Sequence, residues 1–175
     1  MKKRIGIGIV MVVGLVAVAC GGSGVPDNAL GHYVVAIDQV EDDWTDGVED
    51  AFNGKEYLGT GEEPPSNLSV DDVLQDAEEN IDDLIRVTQK AVAALNALSA
   101  SVPDEALAFH RRFLDTLNDG LGIWTDGLQP LKRGDFGSFI EGYPDIQRRA
   151  VAFNRQLDSL GPERNALAQM ALDID

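Results

Sequence analysis

The fold is decided by residues 69–100, which read SVDDVLQDAEENIDDLIRVTQKAVAALNALSA. Along this stretch apolar or small side chains recur in alternating steps of four and three residues, which is the spacing of a seam down one face of a long α-helix. Ser69 is a suitable N-cap, and Asp71 and Asp72 suit the positive end of the helix dipole. We therefore expect a helix from about Val70 to Ala100. Its seam is Val70, Leu74, Ala77, Ile81, Leu84, Thr88, Ala91, Leu95 and Leu98.

The same periodicity marks three further helices, from about Asp27 to Asn53, from Asp104 to Leu131 and from Asp135 to Leu160. No alternating strand pattern competes with it. The connection between the second and third helices and that between the third and fourth are short. Short connections make consecutive helices antiparallel neighbours. The sequence therefore predicts an all-α domain over residues 27–175, an up-down-up-down antiparallel four-helix bundle. The three further apolar stripes are Tyr33, Ile37, Val40, Trp44, Val48, Phe52; Leu107, His110, Leu114, Leu117, Leu121, Trp124, Leu128, Leu131; and Phe136, Ile140, Tyr143, Ile146, Ala150, Phe153, Leu157, Leu160.

Glycine and proline set the expected breaks in this pattern. Residues 54–69 hold several turn-forming residues and predict one long loop between the first two helices. Pro130 is expected to kink or end the third helix. Gly142 and Pro144 are expected to split the fourth helix, and residues 162–175 to form a short fifth one.

A weak internal repeat relates the two halves of the chain. Residues 25–30, VPDNAL, resemble residues 102–107, VPDEAL, and residues 44–48, WTDGV, resemble residues 124–128, WTDGL. A histidine follows the first motif in each half. The pattern is consistent with a duplicated helical hairpin, and equally with chance likeness between two helix starts that share ordinary capping residues.

The first 20 residues have the layout of an export signal. Lys2, Lys3 and Arg4 precede an apolar run, and small residues precede Cys20, the only cysteine of the chain. The apolar run is 15 residues long, shorter than the about 20 that a membrane-spanning helix needs. After Cys20 comes Gly-Gly-Ser-Gly, which is flexible rather than basic. We therefore favour a signal peptide over an uncleaved transmembrane helix.

Residues 17–20, AVAC, resemble the lipobox of bacterial type II signal peptides, although Ala17 stands where that family usually has Leu or Val. The resemblance implies a signal peptide over residues 1–19, a lipidated cysteine at Cys20 and a flexible tether over residues 20–26. It also implies an exported protein, anchored to the outer face of the cytoplasmic membrane or to the outer membrane. The remainder bears a loose likeness to small helical lipoproteins of bacteria, which implies no particular activity.

Charge is distributed very unevenly. The formal net charge is −16, and residues 21–85 hold 18 acidic residues against one basic residue, whereas residues 86–175 hold 12 against 10. Nucleic-acid binding needs clustered Lys and Arg, so a nucleic-acid partner is excluded. The acidic half predicts a solvated face that keeps the protein soluble, with a cation-attracting or basic-partner surface as the sharper alternative.

Four side chains are candidates for a ligand site between the first and third helices: His32, Trp44, His110 and Trp124. Metal sites in helix bundles use Glu-x-x-His pairs, and both histidines here lack that glutamate. We therefore expect no metal or other cofactor, and expect the histidines to be core or capping residues. The tryptophans have core spacing, and nearby glycines either allow close helix approach or leave space beside an indole.

Catalytic motifs are missing from the sequence, including a haem-attachment motif, a nucleophile elbow, a phosphate-binding loop and a dinucleotide fingerprint. The segment that begins at Asp42 resembles a calcium loop only superficially, because Trp44 stands where an oxygen ligand is needed and Asn53 stands where a Glu is needed. The favoured hypothesis is a lipid-anchored binding or envelope-interaction module with no catalysis, contacting the membrane through Cys20 and a protein partner in the envelope. The alternative is a small-ligand or metal carrier, and an enzyme using a carboxylate pair has the least support.

Overall fold

The computed structural model describes residues 27–55, 57–58 and 65–174. The expected signal peptide, Cys20 and the tether lie outside the described residues. Four long helices account for most of the described chain, and two short 3-10 turns, Ser99–Ser101 and Asp104–Ala106, join the second to the third. No strand occurs in the described ranges. The helices are α1 (Ala29–Phe52), α2 (Val70–Leu98), α3 (Leu107–Lys132) and α4 (Phe136–Asp173).

The four helices pack side by side around one hydrophobic core. α1 packs against α2 and α4, and α3 packs against the same two helices. Large side chains from all four helices are almost wholly buried in the centre, among them Trp44, Leu84, Trp124 and Phe153. The prediction of an all-helical bundle is therefore confirmed. In the part of the chain that the structure describes, no helix is both long and apolar enough to cross a membrane.

Side-chain caps define the starts of three helices. The side-chain oxygen of Asn28 accepts a hydrogen bond from the amide of Gly31, 2.8 Å away, at the start of α1. Ser69 is the N-cap of α2, as the sequence predicted, and it forms a reciprocal capping box with Asp72. Asp135 accepts from the amide of Ser138 at the start of α4. These bonds satisfy amides that have no partner within their own helix.

The prediction that Gly142 and Pro144 split the fourth helix is wrong, and so is the expectation of a separate fifth helix. α4 runs unbroken for 38 residues with Pro144 and Pro162 inside it. A proline removes one backbone hydrogen bond. Here the buried face continues on both sides of Pro162, through Leu157, Leu160 and Leu167. Packing of this face against the bundle outweighs the local loss.

The predicted apolar stripe of the fourth helix is displaced at its beginning. Phe136 and Ile140 are 41% and 45% exposed, and Phe139 is buried in their place. α3 does not end at Pro130 but continues for two more residues, to Lys132. Gly134 then adopts a positive φ of 66° in the turn before α4, a conformation that favours glycine. This turn sets which face of α4 meets the core.

Candidate functional site

The structure does not bring the two histidines together. The side chain of His32 is 68% exposed, and its Nε2 lies 3.2 Å from the carboxylate of Asp27 on the surface. His110 is only 4% exposed and lies inside the bundle. The tryptophans do lie in one layer of the core, described below. The four residues predicted from the sequence are thus spread over a surface contact, a buried polar cluster and an aromatic layer.

His110 is the centre of the buried polar cluster. The hydroxyl of Tyr33 lies 3.2 Å from its Nδ1, and the hydroxyl of Ser99 lies 3.2 Å from its Nε2. Tyr33 belongs to α1, Ser99 to the turn after α2, and His110 to α3. The cluster therefore ties three elements together at one end of the bundle. Sequence reasoning identified His110 but missed both of its partners.

Burial determines the protonation states in this cluster. Loss of solvent lowers the pKa of His110 and raises the pKa of Tyr33 well above its usual range. Both groups are therefore neutral near pH 7. A neutral imidazole has one donor nitrogen and one acceptor nitrogen, so one hydroxyl accepts from the ring while the other donates to it. With both nitrogens occupied, the cluster works as a hydrogen-bonded link between helices.

Trp44 and Trp124 contact the same ring, that of Phe153 on α4. Their ring centroids lie 6.3 and 6.2 Å from that of Phe153, and both pairs meet edge to face. The indole N–H of Trp44 donates to the hydroxyl of Thr88, 3.2 Å away. The indole nitrogen of Trp124 is buried and has no hydrogen-bond partner among the described residues. The two tryptophans share a layer of the core but differ in polar environment.

Glycines near this layer allow close helix approach. A Cβ atom on Gly120 would lie 2.8 Å from the ring of Phe153, and one on Gly47 would lie 2.7 Å from the side chain of Val87. Neither distance leaves room for a side chain. Of the two roles considered for the glycines, these positions therefore support helix contact rather than space for a ligand beside the indoles.

Two clefts beside Trp44 are small. A cleft of about 10 Å³ lies between α1, α3 and α4, with Trp44, Phe113 and Arg164 among its walls. A second cleft of about 30 Å³ lies on the α2 side of Trp44. Such volumes hold about one water molecule each, whereas small-molecule pockets measure roughly 300–1,000 Å³. A broader depression follows residues 143–155, but its walls all come from α4, so it is open surface.

Arg164 links α4 to α1 through two carboxylates. Its side chain is 11% exposed, and its Nη1 lies 2.8 Å from Oε2 of Glu41 and 3.4 Å from Oδ1 of Asp38. Burial raises the pKa of both carboxyl groups, and the guanidinium opposes this effect. Sequence reasoning missed this cluster because Arg164 fell in the expected fifth helix, without an expected partner. The arrangement is a partly buried ion pair at the edge of the small cleft.

The acidic residues do not form an evident metal site. Within the described ranges, no group of three or more His, Cys, Asp or Glu side chains is arranged to hold a metal ion. Several acids instead meet bases at the surface, as Glu79 meets Lys55 and Asp82 meets Lys132. Apart from Asp38 and Glu41, the carboxylates of α1 and α2 are therefore best described as a charged outer surface.

Comparison with protein-family models, with curated proteins and with solved structures finds no match for this chain. Its function is therefore argued from its own residues.

Proposed function

We propose that the protein is a lipid-anchored, extracytoplasmic helical bundle that serves as a binding or envelope-interaction module without catalysis. The observation that carries this proposal is Cys20, the only cysteine, placed at the end of a basic and apolar leader and before a glycine-rich segment. A lone cysteine in that position is best explained by lipid attachment. On this proposal the protein is exported and held at the outer face of the cytoplasmic membrane or at the outer membrane.

The body of the protein supports this proposal through the position of its first helix. The side-chain amide of Asn28 donates to the carbonyl of Ala171, 2.9 Å away, so the start of α1 lies beside the end of α4. Asp27 is exposed at this end of the bundle. A tether over residues 20–26 would leave the bundle there. The anchor can therefore be changed without altering the described core.

We further propose the up-down-up-down topology. Three contacts support it. The amide of Asn80 donates to the carbonyl of Ala51, 2.8 Å away, which joins the first half of α2 to the end of α1. Lys132 at the end of α3 pairs with Asp82 on α2, at 2.9 Å. Arg112, near the start of α3, forms an ion pair with Glu163, in the later part of α4.

Duplication of a helical hairpin is part of the same proposal. Its support is the shared aromatic layer, since Trp44 and Trp124 occupy equivalent motif positions and contact one ring. The two halves differ in detail. Asn28 caps α1 through its side chain, whereas the equivalent helix α3 begins at Leu107, and its N-cap residue Ala106 makes no side-chain cap.

Replacement of the anchoring residue tests the main proposal. In a bacterial host, the full chain should label with a radioactive fatty acid and sediment with membranes. Cys20→Ser should lose the label and release the protein into the soluble exported fraction. Ser23→Ala, three residues further on, is the matched control and should change neither. An unlabelled wild-type chain, or a Cys20→Ser variant that still sediments with membranes, would overturn the anchor.

The carrier alternative remains a prediction, and one observation favours it. The buried indole nitrogen of Trp124 lacks an acceptor that a small polar ligand could supply. Native mass spectrometry of residues 21–175, with metal analysis on the same sample, tests it. A stoichiometric extra mass that disappears in Trp124→Phe but persists in His32→Ala would support a carrier. A clean apo mass would count against it.

A further inference from the structure

We propose that the outer face of α4 rests on an anionic lipid surface and lays the bundle on its side against the membrane. We call residues Phe136, Ile140, Pro144 and Val151, with Arg148 and Arg155, the α4 outer stripe. This inference rests on the proposed lipid anchor. It adds which face of the bundle meets the membrane.

Exposed apolar side chains are concentrated on α4. Eight large hydrophobic side chains are exposed in the described part of the chain, and five of them belong to this helix, whereas none belongs to α3. Phe136, Ile140 and Val151 are each more than 40% exposed. At 100° per residue they project with Pro144 on one side, away from the buried Phe153 and Leu157. The outer surface of a bundle helix is normally polar, so this row indicates a surface that meets an apolar environment.

The charged side chains around the stripe indicate which apolar environment it meets. Residues 136–155, the part of α4 that bears the stripe, hold three bases and two acids, a net charge of +1, in a protein of net charge −16. Arg148 and Arg155 lie within the stripe and are exposed. Arg148 pairs with Asp145, while Arg155 has no carboxylate partner among the described residues. Arginines beside exposed Phe, Ile and Val match the interface of a bilayer, where phosphates lie next to acyl chains.

The opposite side of the bundle repels such a surface. α4 packs on α1 and α3, so α2 lies diagonally across from it. α2 holds seven acids and two bases, and α1 holds seven acids and no Lys or Arg. With the α4 outer stripe against the membrane, the acidic surface of α2 faces outward, where it meets solvent or a basic partner.

The tether permits this orientation. Six residues, 21–26, separate Asp27 from the lipid-bearing Cys20, and the seven backbone steps between these two residues reach at most about 25 Å. The start of α1 lies at most about 15 Å from a surface that α4 touches, one helix radius plus one interaxial distance, so a side-on bundle needs no stretching. Because the anchor already holds the bundle at the surface, weak contacts suffice to orient it. A row one side chain wide buries less area than the roughly 800 Å² per partner that a stable protein–protein interface needs. This small area disfavours a second copy as the occupant.

Single-cysteine spin labelling of the lipidated protein tests the inference. Val151→Cys and Ile140→Cys place a nitroxide in the stripe, and Val35→Cys on α1 is the matched control, since Val35 and Val151 are 45% and 41% exposed. On vesicles of phosphatidylcholine and phosphatidylglycerol at 3:1, we expect labels at 140 and 151 to collide severalfold more with oxygen, relative to a water-soluble nickel complex, than the label at 35. Arg148→Gln with Arg155→Gln should remove this difference.

The outcomes separate the anchor from the docking. Mass spectrometry should find one nitroxide per chain, because lipid blocks Cys20. Two nitroxides would show a free Cys20 and overturn the anchor, and the docking with it. One nitroxide, with labels at 140 and 151 as water-accessible as the label at 35, would overturn the docking alone. Spin–spin broadening between labels at 151 would show that a second copy covers the stripe instead of lipid.

Discussion

The hydroxyl of Tyr33 and Nδ1 of His110 lie 3.2 Å apart, joining α1 to α3 across 77 positions of sequence. The neighbouring residue, His32, points to solvent and pairs with Asp27. One residue along a helix turns a side chain by about 100°, which is enough to separate the core from the surface. The buried partner of His110 is therefore a tyrosine, and the polar link is built from hydroxyls and one imidazole.

Tyr33→Phe removes one hydroxyl from this link while keeping the ring. We expect a loss of about 1–3 kcal/mol in the free energy of unfolding, because Nδ1 of His110 is then buried without a partner. Urea denaturation followed by circular dichroism measures it. His32→Ala is the control and should change stability by less than about 0.5 kcal/mol, as an exposed side chain. Equal effects of the two substitutions would contradict the link.

Stability should also depend on pH through His110. Burial lowers the pKa of this imidazole from its usual 6.5. The unfolded chain therefore binds a proton at a pH where the folded chain does not, and stability falls as pH falls below about 6.5. Thermal unfolding between pH 7.5 and 5 should show this loss. His110→Gln should flatten that part of the profile and His32→Gln should not. An unchanged slope in His110→Gln would assign the dependence to other groups.

Prediction from sequence succeeded where packing and local signals agree. The seam of α2 and its Ser69–Asp72 capping box both point to the same helix start, and the structure has that start at Val70. α4 shows the opposite case. Pro144 and Pro162 signal breaks locally, but the helix has buried residues on both sides of each, Phe139 and Ala150 around Pro144, and Leu160 and Leu167 around Pro162. The strength of this packing depends on neighbours that a local pattern does not contain.

The candidate site was harder to predict for a related reason. His110 was identified from its place on an apolar seam, yet its partners Tyr33 and Ser99 come from distant parts of the chain. Arg164 meets Glu41 only because the end of α4 returns to α1. Periodicity shows which residues face inward. It does not show which of them meet, because that depends on the relative rotation and height of the helices.

Gly120→Ala should destabilise the bundle although alanine favours helix. The new Cβ would lie 2.8 Å from Cε2 of Phe153, the ring that both tryptophans contact. We expect a cost of about 1–3 kcal/mol from overpacking, which exceeds the gain of about 1 kcal/mol in helix propensity. Gly122→Ala is the matched control, because its nearest atom is Nη2 of Arg149 at 3.6 Å. That variant should be up to about 1 kcal/mol more stable, and a stabilising Gly120→Ala would contradict the close contact.

The two tryptophans should respond differently to replacement by phenylalanine. Both substitutions remove similar volume from the core layer. Trp44→Phe also removes the hydrogen bond to Thr88, whereas Trp124→Phe removes an N–H that has no acceptor. We expect Trp44→Phe to cost about 1 kcal/mol more than Trp124→Phe in urea unfolding. A larger cost at Trp124 would show that its indole nitrogen has an acceptor in solution.

Removal of the cation from the α1–α4 cluster should make stability depend more steeply on pH. Arg164→Met leaves Glu41 and Asp38 facing each other in a partly buried site, so we expect a loss of about 2–4 kcal/mol near pH 7. The pKa of both carboxyl groups is already raised by burial, and without the guanidinium it rises further. An acid whose pKa is raised by folding loses stability as pH increases from its unfolded pKa to its folded pKa. The deficit should therefore shrink at pH 3.5, where both carboxyl groups bind protons.

Arg155→Met, which removes an exposed arginine from the same helix, should cost less than about 0.5 kcal/mol at either pH. A deficit in Arg164→Met that does not change with pH would indicate lost packing of the arginine stem in place of lost charge pairing.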